Sequence, residues 1–163
     1  MEFRDLKKQY QVLKEDIDKK VQSVCASARY ISGPEVKELE NQLAEYVGVK
    51  HCVTCANGTD AIILALKVWG IGEGDAGFVP DFTFFSSGEC PASEGAICVF
   101  VILDERTYNL DAAKLEESIK KVLEEGIYKP KVVVAVDLFG LPADYEKIKE
   151  FCKKYNLLLL EDG

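Results

Sequence analysis

Val132-Val133-Val134-Ala135-Val136-Asp137 is an unbroken apolar run that ends on a carboxylate, and Leu157-Leu158-Leu159-Leu160-Glu161-Asp162 repeats the pattern close to the last residue. A strand with one wet face alternates apolar and polar residues, whereas a strand covered on both faces reads as a continuous apolar run. These two runs therefore predict strands of a buried, largely parallel sheet. Further short apolar runs stand at Cys52 to Cys55, Gly77 to Val79 and Cys98 to Leu103. Helical stretches separate them: Leu115, Ile119 and Val122 follow Asp111, and Tyr145, Ile148 and Cys152 follow Pro142, a proline suited to a first helical turn. The expected fold class is α/β, a three-layer α/β/α arrangement with a mostly parallel sheet.

Nearer the amino end the period lengthens. Leu6, Tyr10, Leu13, Ile17, Val21 and Val24 recur at three-and-four spacing on one face of a long helix, expected to end near Ser32-Gly33-Pro34. A second helix carries Val36, Leu39, Leu43 and Val47, with Gly48 closing it. The organisation expected is a helical arm over residues 1–50 followed by an α/β sheet over residues 51–163.

With 48% hydrophobic residues and no low-complexity tract, the chain of 163 residues can offset the entropy of ordering a domain. A formal net charge of -8 disfavours nucleic acid and anionic lipid as partners. No apolar run is long enough to span a bilayer. The opening Met1-Glu-Phe-Arg-Asp5 lacks the apolar core of a signal peptide, so a cytoplasmic protein is expected. Six cysteines show no framework spacing and read as reduced thiols. Cys52-Val-Thr-Cys55, beside the single histidine His51, has the spacing of a redox or metal pair but no second pair to complete a site; the plainer reading turns Val53 and Cys55 inward on a short strand. No metal site is expected.

Three segments could carry chemistry. Ala56-Asn57-Gly58-Thr59-Asp60-Ala61 lies between a predicted strand and a predicted helix, where free N–H groups and a hydroxyl make either a phosphate cradle or a plain helix cap. Pro80-Asp81-Phe82-Thr83-Phe84-Phe85-Ser86-Ser87 follows another strand, and its aromatics either pack into the core or stack on a flat ligand. Asp162 and Asp137 each end a buried strand, where a carboxylate needs a partner: a protonated ring nitrogen, a metal or a helix start. Gly70-Ile71-Gly72-Glu73-Gly74 sits between helix and strand, the wrong order for a dinucleotide fingerprint, and reads as a turn.

Taken in order, Tyr30-Ile-Ser-Gly-Pro-Glu35, Ala56-Asn-Gly-Thr-Asp-Ala61, Gly70-Ile-Gly-Glu-Gly-Asp75, Pro80-Asp-Phe-Thr-Phe84, Arg106-Thr-Tyr-Asn-Leu-Asp111, Asp137-Leu-Phe-Gly-Leu-Pro-Ala-Asp144 and Glu161-Asp162 resemble the DegT-type nucleotide-sugar aminotransferases, pyridoxal-phosphate enzymes of fold type I. The resemblance implies that the chain is the amino-terminal part of their cofactor-binding large domain. It implies pyridoxal phosphate as cofactor, with Gly58 and Thr59 at its phosphate, Phe84 stacked on its ring, Asp162 paired with the ring nitrogen, and Asp137 close to the site. Substrates would be glutamate and a nucleotide-linked keto sugar, and the assembly a homodimer.

The Schiff-base lysine of that family lies downstream of Asp162, so no catalytic residue is assigned here. Lys50, Lys131, Lys153 and Lys154 sit at strand entries or on an outer helix face, and a solvated lysine with a pKa of about 10.4 is a poor nucleophile. The 163 residues alone are expected to be inactive and to hold the cofactor weakly or not at all. Alternatives are a non-enzymatic binding or dimerising remnant, and a sugar dehydratase of the same family with histidine in place of the lysine. Gly77 in a strand, Pro91 in a helix, Ile102 for an aspartate and Gly163 for an alanine depart from the family pattern.

Overall fold

The computed structural model describes residues 4–163; Met1 to Phe3, the start of the charged opening stretch, lie outside the described residues. The chain divides between Thr54 and Cys55 into two compact units. The first holds helices α1 (Leu6–Ser27) and α2 (Pro34–Val47). Asp5 caps α1 by accepting the Lys8 N–H, and Pro34 opens α2, where its missing N–H costs nothing. α1 stops before Ser32: Ala28 takes a left-handed conformation and donates back to Val24 and Cys25, so the cap, not the downstream Gly-Pro, ends the helix. Gly48 closes α2 at φ 78°. The apolar stripes of both helices are largely exposed, and neither helix has a buried residue.

The second unit is the α/β sheet. Its elements are α3 (Gly58–Val68), β1 (Asp75–Pro80), α4 (Ser86–Ser93), β2 (Ile97–Val101), α5 (Ala112–Glu125), β3 (Lys129–Val136), α6 (Tyr145–Tyr155) and β4 (Leu158–Asp162). The four strands run in the order β2-β1-β3-β4 and every pairing is parallel. Because side chains alternate across a strand, the apolar runs feed two cores. Phe78, Val133 and Ala135 face Leu115, Ile119, Ile148 and Cys152 of α5 and α6. Val79, Val132, Val134 and Leu160 face Ile62, Leu66 and Cys90 of α3 and α4. Burying each such side chain stabilises by roughly 1.5–3 kcal/mol. The result is the three-layer architecture expected of the continuous apolar runs.

Four local expectations are corrected. Cys52 to Cys55 forms no strand, and Val53 is 79% exposed. A strand needs a neighbour for its backbone groups; here the Thr54 N–H and hydroxyl instead donate to the Glu40 carboxylate, each at 3.0 Å. β2 ends at Val101, and Leu103 forms an isolated antiparallel bridge with Leu110. Pro142 lies ahead of α6, whose start is set by Asp144 capping Lys147 N–H. Pro91 does not interrupt α4 but sits buried inside it, and Gly77 is its counterpart: a Cβ on Gly77 would stand 3.2 Å from the Pro91 ring and 3.4 Å from Val132. The ladder between β1 and β3 shifts register at this point, between Ala76 and Gly77.

Candidate functional site

In the sheet order, the chain moves from β1 outward to β2, then returns across β1 to β3 and on to β4. The reversal lies between β1 and β3, and in open parallel sheets ligands bind beyond the carboxyl ends of the strands at such a point. The segment after β1 runs into α4, and the segment after β3 begins at Asp137. β4 lies next to β3, with Val136 opposite Asp162 and the Asp137 N–H donating to the Asp162 carbonyl at 3.0 Å.

α4 gathers much of this end of the sheet. The Ser87 hydroxyl donates to Asp162 Oδ2 at 3.2 Å, and the Cys90 thiol, three residues on and thus on the same face, donates to the Thr59 carbonyl at 3.6 Å. Thr59 and Asp162 are thereby tied to adjacent turns of one helix. Burial, with the carboxylates of Glu89 and Asp162 close by, pushes the Cys90 thiol up. Its role is therefore that of a small packed donor and not of a nucleophile.

Gly58 and Thr59 open α3. Asn57 caps the helix by accepting the Asp60 N–H at 2.9 Å and returns a bond from its amide to the Asp60 carboxylate. The Gly58 and Thr59 N–H groups have no acceptor among the described residues, and the space where a Gly58 Cβ would stand is open. Two free donors at the positive end of a helix, with room in front of them, suit an anion.

Phe84 precedes α4, its carbonyl accepting the Ser87 N–H at 3.1 Å. Its ring is 75% exposed and lines a groove of about 450 Å³ with Phe85, Gly88, Cys98 and Phe100. That groove includes neither Thr59 nor Asp162. The structure thus brings Thr59 and Asp162 together through α4 and joins Phe84 to them through the backbone, with its ring directed along the β2 side. Asp137 is differently occupied: Oδ1 accepts the Tyr145 hydroxyl at 2.7 Å and the Ala143 N–H at 3.0 Å. Burial first, then this hydrogen bond, raises the Tyr145 phenol well above its ordinary value. Asp137 therefore pins the entry to α6.

The sequence alone assigned no role to Ser87 or Thr83, though both lie in the segment after β1 that it singled out. Ser87 is fully buried, and its hydroxyl also meets Thr83 Oγ1 at 3.2 Å. A serine in the first turn of a helix carries no signature of such a contact; only the topology brings it to Asp162. The Arg106 to Asp111 motif is structural: Asp104 accepts the Arg106 and Thr107 N–H groups, the Asn109 amide donates to the Leu141 and Pro142 carbonyls, and Asp111 caps α5. It fastens the loop after β2 to the loop after β3. Among the described residues no group of three or more His, Cys, Asp or Glu side chains could hold a metal ion, and no helix is long and apolar enough to cross a membrane.

Residues 11–163 match the DegT/DnrJ/EryC1/StrS aminotransferase family. The chain is 41% identical over its whole length to a UDP-2-acetamido-2-deoxy-3-oxo-D-glucuronate aminotransferase of Pseudomonas aeruginosa, of which it covers 44%. It superposes with a TM-score of 0.97 and 43% identity on the crystal structure of a DegT DnrJ EryC1 StrS aminotransferase from Brucella abortus, covering 99% of this chain and 43% of that one. It superposes with a TM-score of 0.83 and 27% identity on NtdA from Bacillus subtilis with bound cofactor PMP, covering 91% of this chain and 32% of that one. The chain thus spans less than half the length of the relatives it matches.

Proposed function

As the chain belongs to the DegT/DnrJ/EryC1/StrS aminotransferase family, we propose that it supplies the cofactor-binding part of a pyridoxal-phosphate enzyme that moves an amino group from glutamate to a nucleotide-linked keto sugar. The observation that carries this reading is the attachment of Thr59 and Asp162 to adjacent turns of α4. An anion-accepting helix start and a carboxylate at a strand end then border one site. Gly58 and Thr59 would hold the phosphate with their free N–H groups, and Asp162 would hold the ring nitrogen in its protonated form. Phe84, whose exposed ring is directed along the β2 side, would have to turn towards Thr59 and Asp162 to lie against the ring face. When bound, the cofactor supplies an electron sink that makes a proton on the substrate carbon removable.

The donor set fits that group, and what these residues contribute is binding and orientation. None of the lysines discussed above is placed to act. Lys131 stands near the amino end of β3, whereas Asp162 ends β4, and five residues of strand span roughly 16 Å. Lys50 and Lys153 are exposed, and the Lys154 amine is held protonated by its hydrogen bond to Glu116. A protein of these 163 residues alone would bind cofactor weakly at most and would not transaminate. The exposed stripe of Leu6, Leu13, Ile17 and Val21 supports self-association as a homodimer, and six unpaired thiols fit a reducing cytoplasm.

The test is a titration of pyridoxal phosphate followed by the fluorescence of the single tryptophan, Trp69, which lies at the end of α3. Binding should weaken about tenfold or more in Asp162→Asn, the loss expected for a charge-assisted hydrogen bond. Equal affinity in the parent and in Asp162→Asn would refute the reading. Glutamate-dependent amination by the 163 residues alone would refute the assignment of chemistry to a lysine outside them.

A further inference from the structure

Asp162 has two carboxylate oxygens, and the structure uses them unequally. Oδ2 accepts the Ser87 hydroxyl at 3.2 Å, while Oδ1 has no hydrogen-bond partner among the described residues. Ser87 is 0% exposed, so its hydroxyl cannot exchange this acceptor for water. Its oxygen lies 3.2 Å from Thr83 Oγ1. Since the Ser87 proton is committed to a carboxylate that can only accept, Thr83 must be the donor in that second contact. The order is therefore fixed: Thr83 to Ser87 to Asp162. The three residues come from the loop after β1, the first turn of α4 and the last residue of β4.

We propose that Ser87, oriented by Thr83, is a positioning residue for Asp162: it ties down one carboxylate oxygen and leaves the other to receive a cationic ring nitrogen. This rests on the reading of Asp162 given under Proposed function and adds to it two residues and a direction. A carboxylate at the end of a strand turns freely about its last torsion unless something holds it, and a donor fixed in a buried helix turn is such a hold. The chain of two hydroxyls also polarises the last bond, strengthening the grip on Oδ2. Ser87 needs no contact with the ligand for this effect.

Two ligands separate positioning from simple support of the fold. Pyridoxal phosphate has the ring nitrogen; its 1-deaza analogue has carbon there and is otherwise alike. The parent 163-residue chain should bind pyridoxal phosphate about tenfold more tightly than the analogue. Ser87→Ala should lose most of that preference, with affinity for the analogue changed less than about twofold. Ser87→Thr, which keeps the hydroxyl, should restore the preference, and Thr83→Val should lose part of it. If Ser87→Ala weakens both ligands equally, Ser87 only supports the fold and the proposal is overturned. If Asp162→Asn abolishes the preference while Ser87→Ala keeps it, the proposal alone fails. If the parent chain binds both ligands equally, the reading of Asp162 fails and the proposal falls with it.

Discussion

At Gly77 and Pro91 two residues that look unfavourable one at a time fit each other. Glycine weakens a strand and proline weakens a helix, yet the proline ring occupies the volume that a side chain on Gly77 would need. Gly77→Ala should destabilise by about 1–3 kcal/mol through overpacking against the ring and Val132, outweighing the usual gain from a less flexible unfolded chain. In a Pro91→Ala background the same change should cost little or turn favourable, and urea denaturation of the four combinations measures the coupling. Additive effects would contradict the packing argument. Neither residue's meaning was legible locally, because the contact joins positions brought together only by the crossover from β1 to α4. Asp162 was legible as a candidate because a carboxylate ending a buried strand demands a partner. Ser87 was not, because serine near a helix start is most often a cap.

Helices and strands followed their sequence patterns where one face or both faces were apolar, and failed where a partner decided the outcome. Cys52 to Cys55 has the composition of a strand but no neighbour to complete its ladder, so composition alone misled. α5 and α6 illustrate how two elements are joined by one side chain. Glu116 of α5 accepts from Lys154 and Tyr155 of α6 and from Lys120 of its own helix. The hydrogen bonds from Lys154, Lys120 and Tyr155, in that order, hold its carboxyl down at about 2 against an ordinary 4.5. A depressed folded-state value favours the folded state above the unfolded value, and the contribution disappears as pH falls through the folded one. Glu116→Gln should therefore be less stable than the parent at pH 6, and the difference should shrink as pH falls from about 4.5 towards about 2. Denaturation midpoints at a series of pH values measure it; a difference constant down to the lowest pH would show that the carboxylate does not hold the helices together.

Across the whole molecule, burial is concentrated in the α/β unit, and the cysteines report on it. Cys25 and Cys55 are exposed, while Cys90 and Cys152 are buried and the Cys152 thiol is pushed up to about 11 by burial. A coloured disulfide reagent at pH 8 should label Cys25 and Cys55 quickly and reach Cys90 and Cys152 only on unfolding, as peptide mass mapping would reveal. Rapid labelling of Cys152 in the native protein would contradict the placement of α6. The architecture itself, three layers around a parallel sheet, was readable from the apolar runs; the strand order was not, since composition does not say which strands are neighbours. That order carries a cost during synthesis. β1, buried along its whole length between β2 and β3, leaves the ribosome before either neighbour exists. With parallel strands no hairpin can pair it meanwhile, so both of its edges start open and the second closes only when β3 emerges, two helices' worth of translation later.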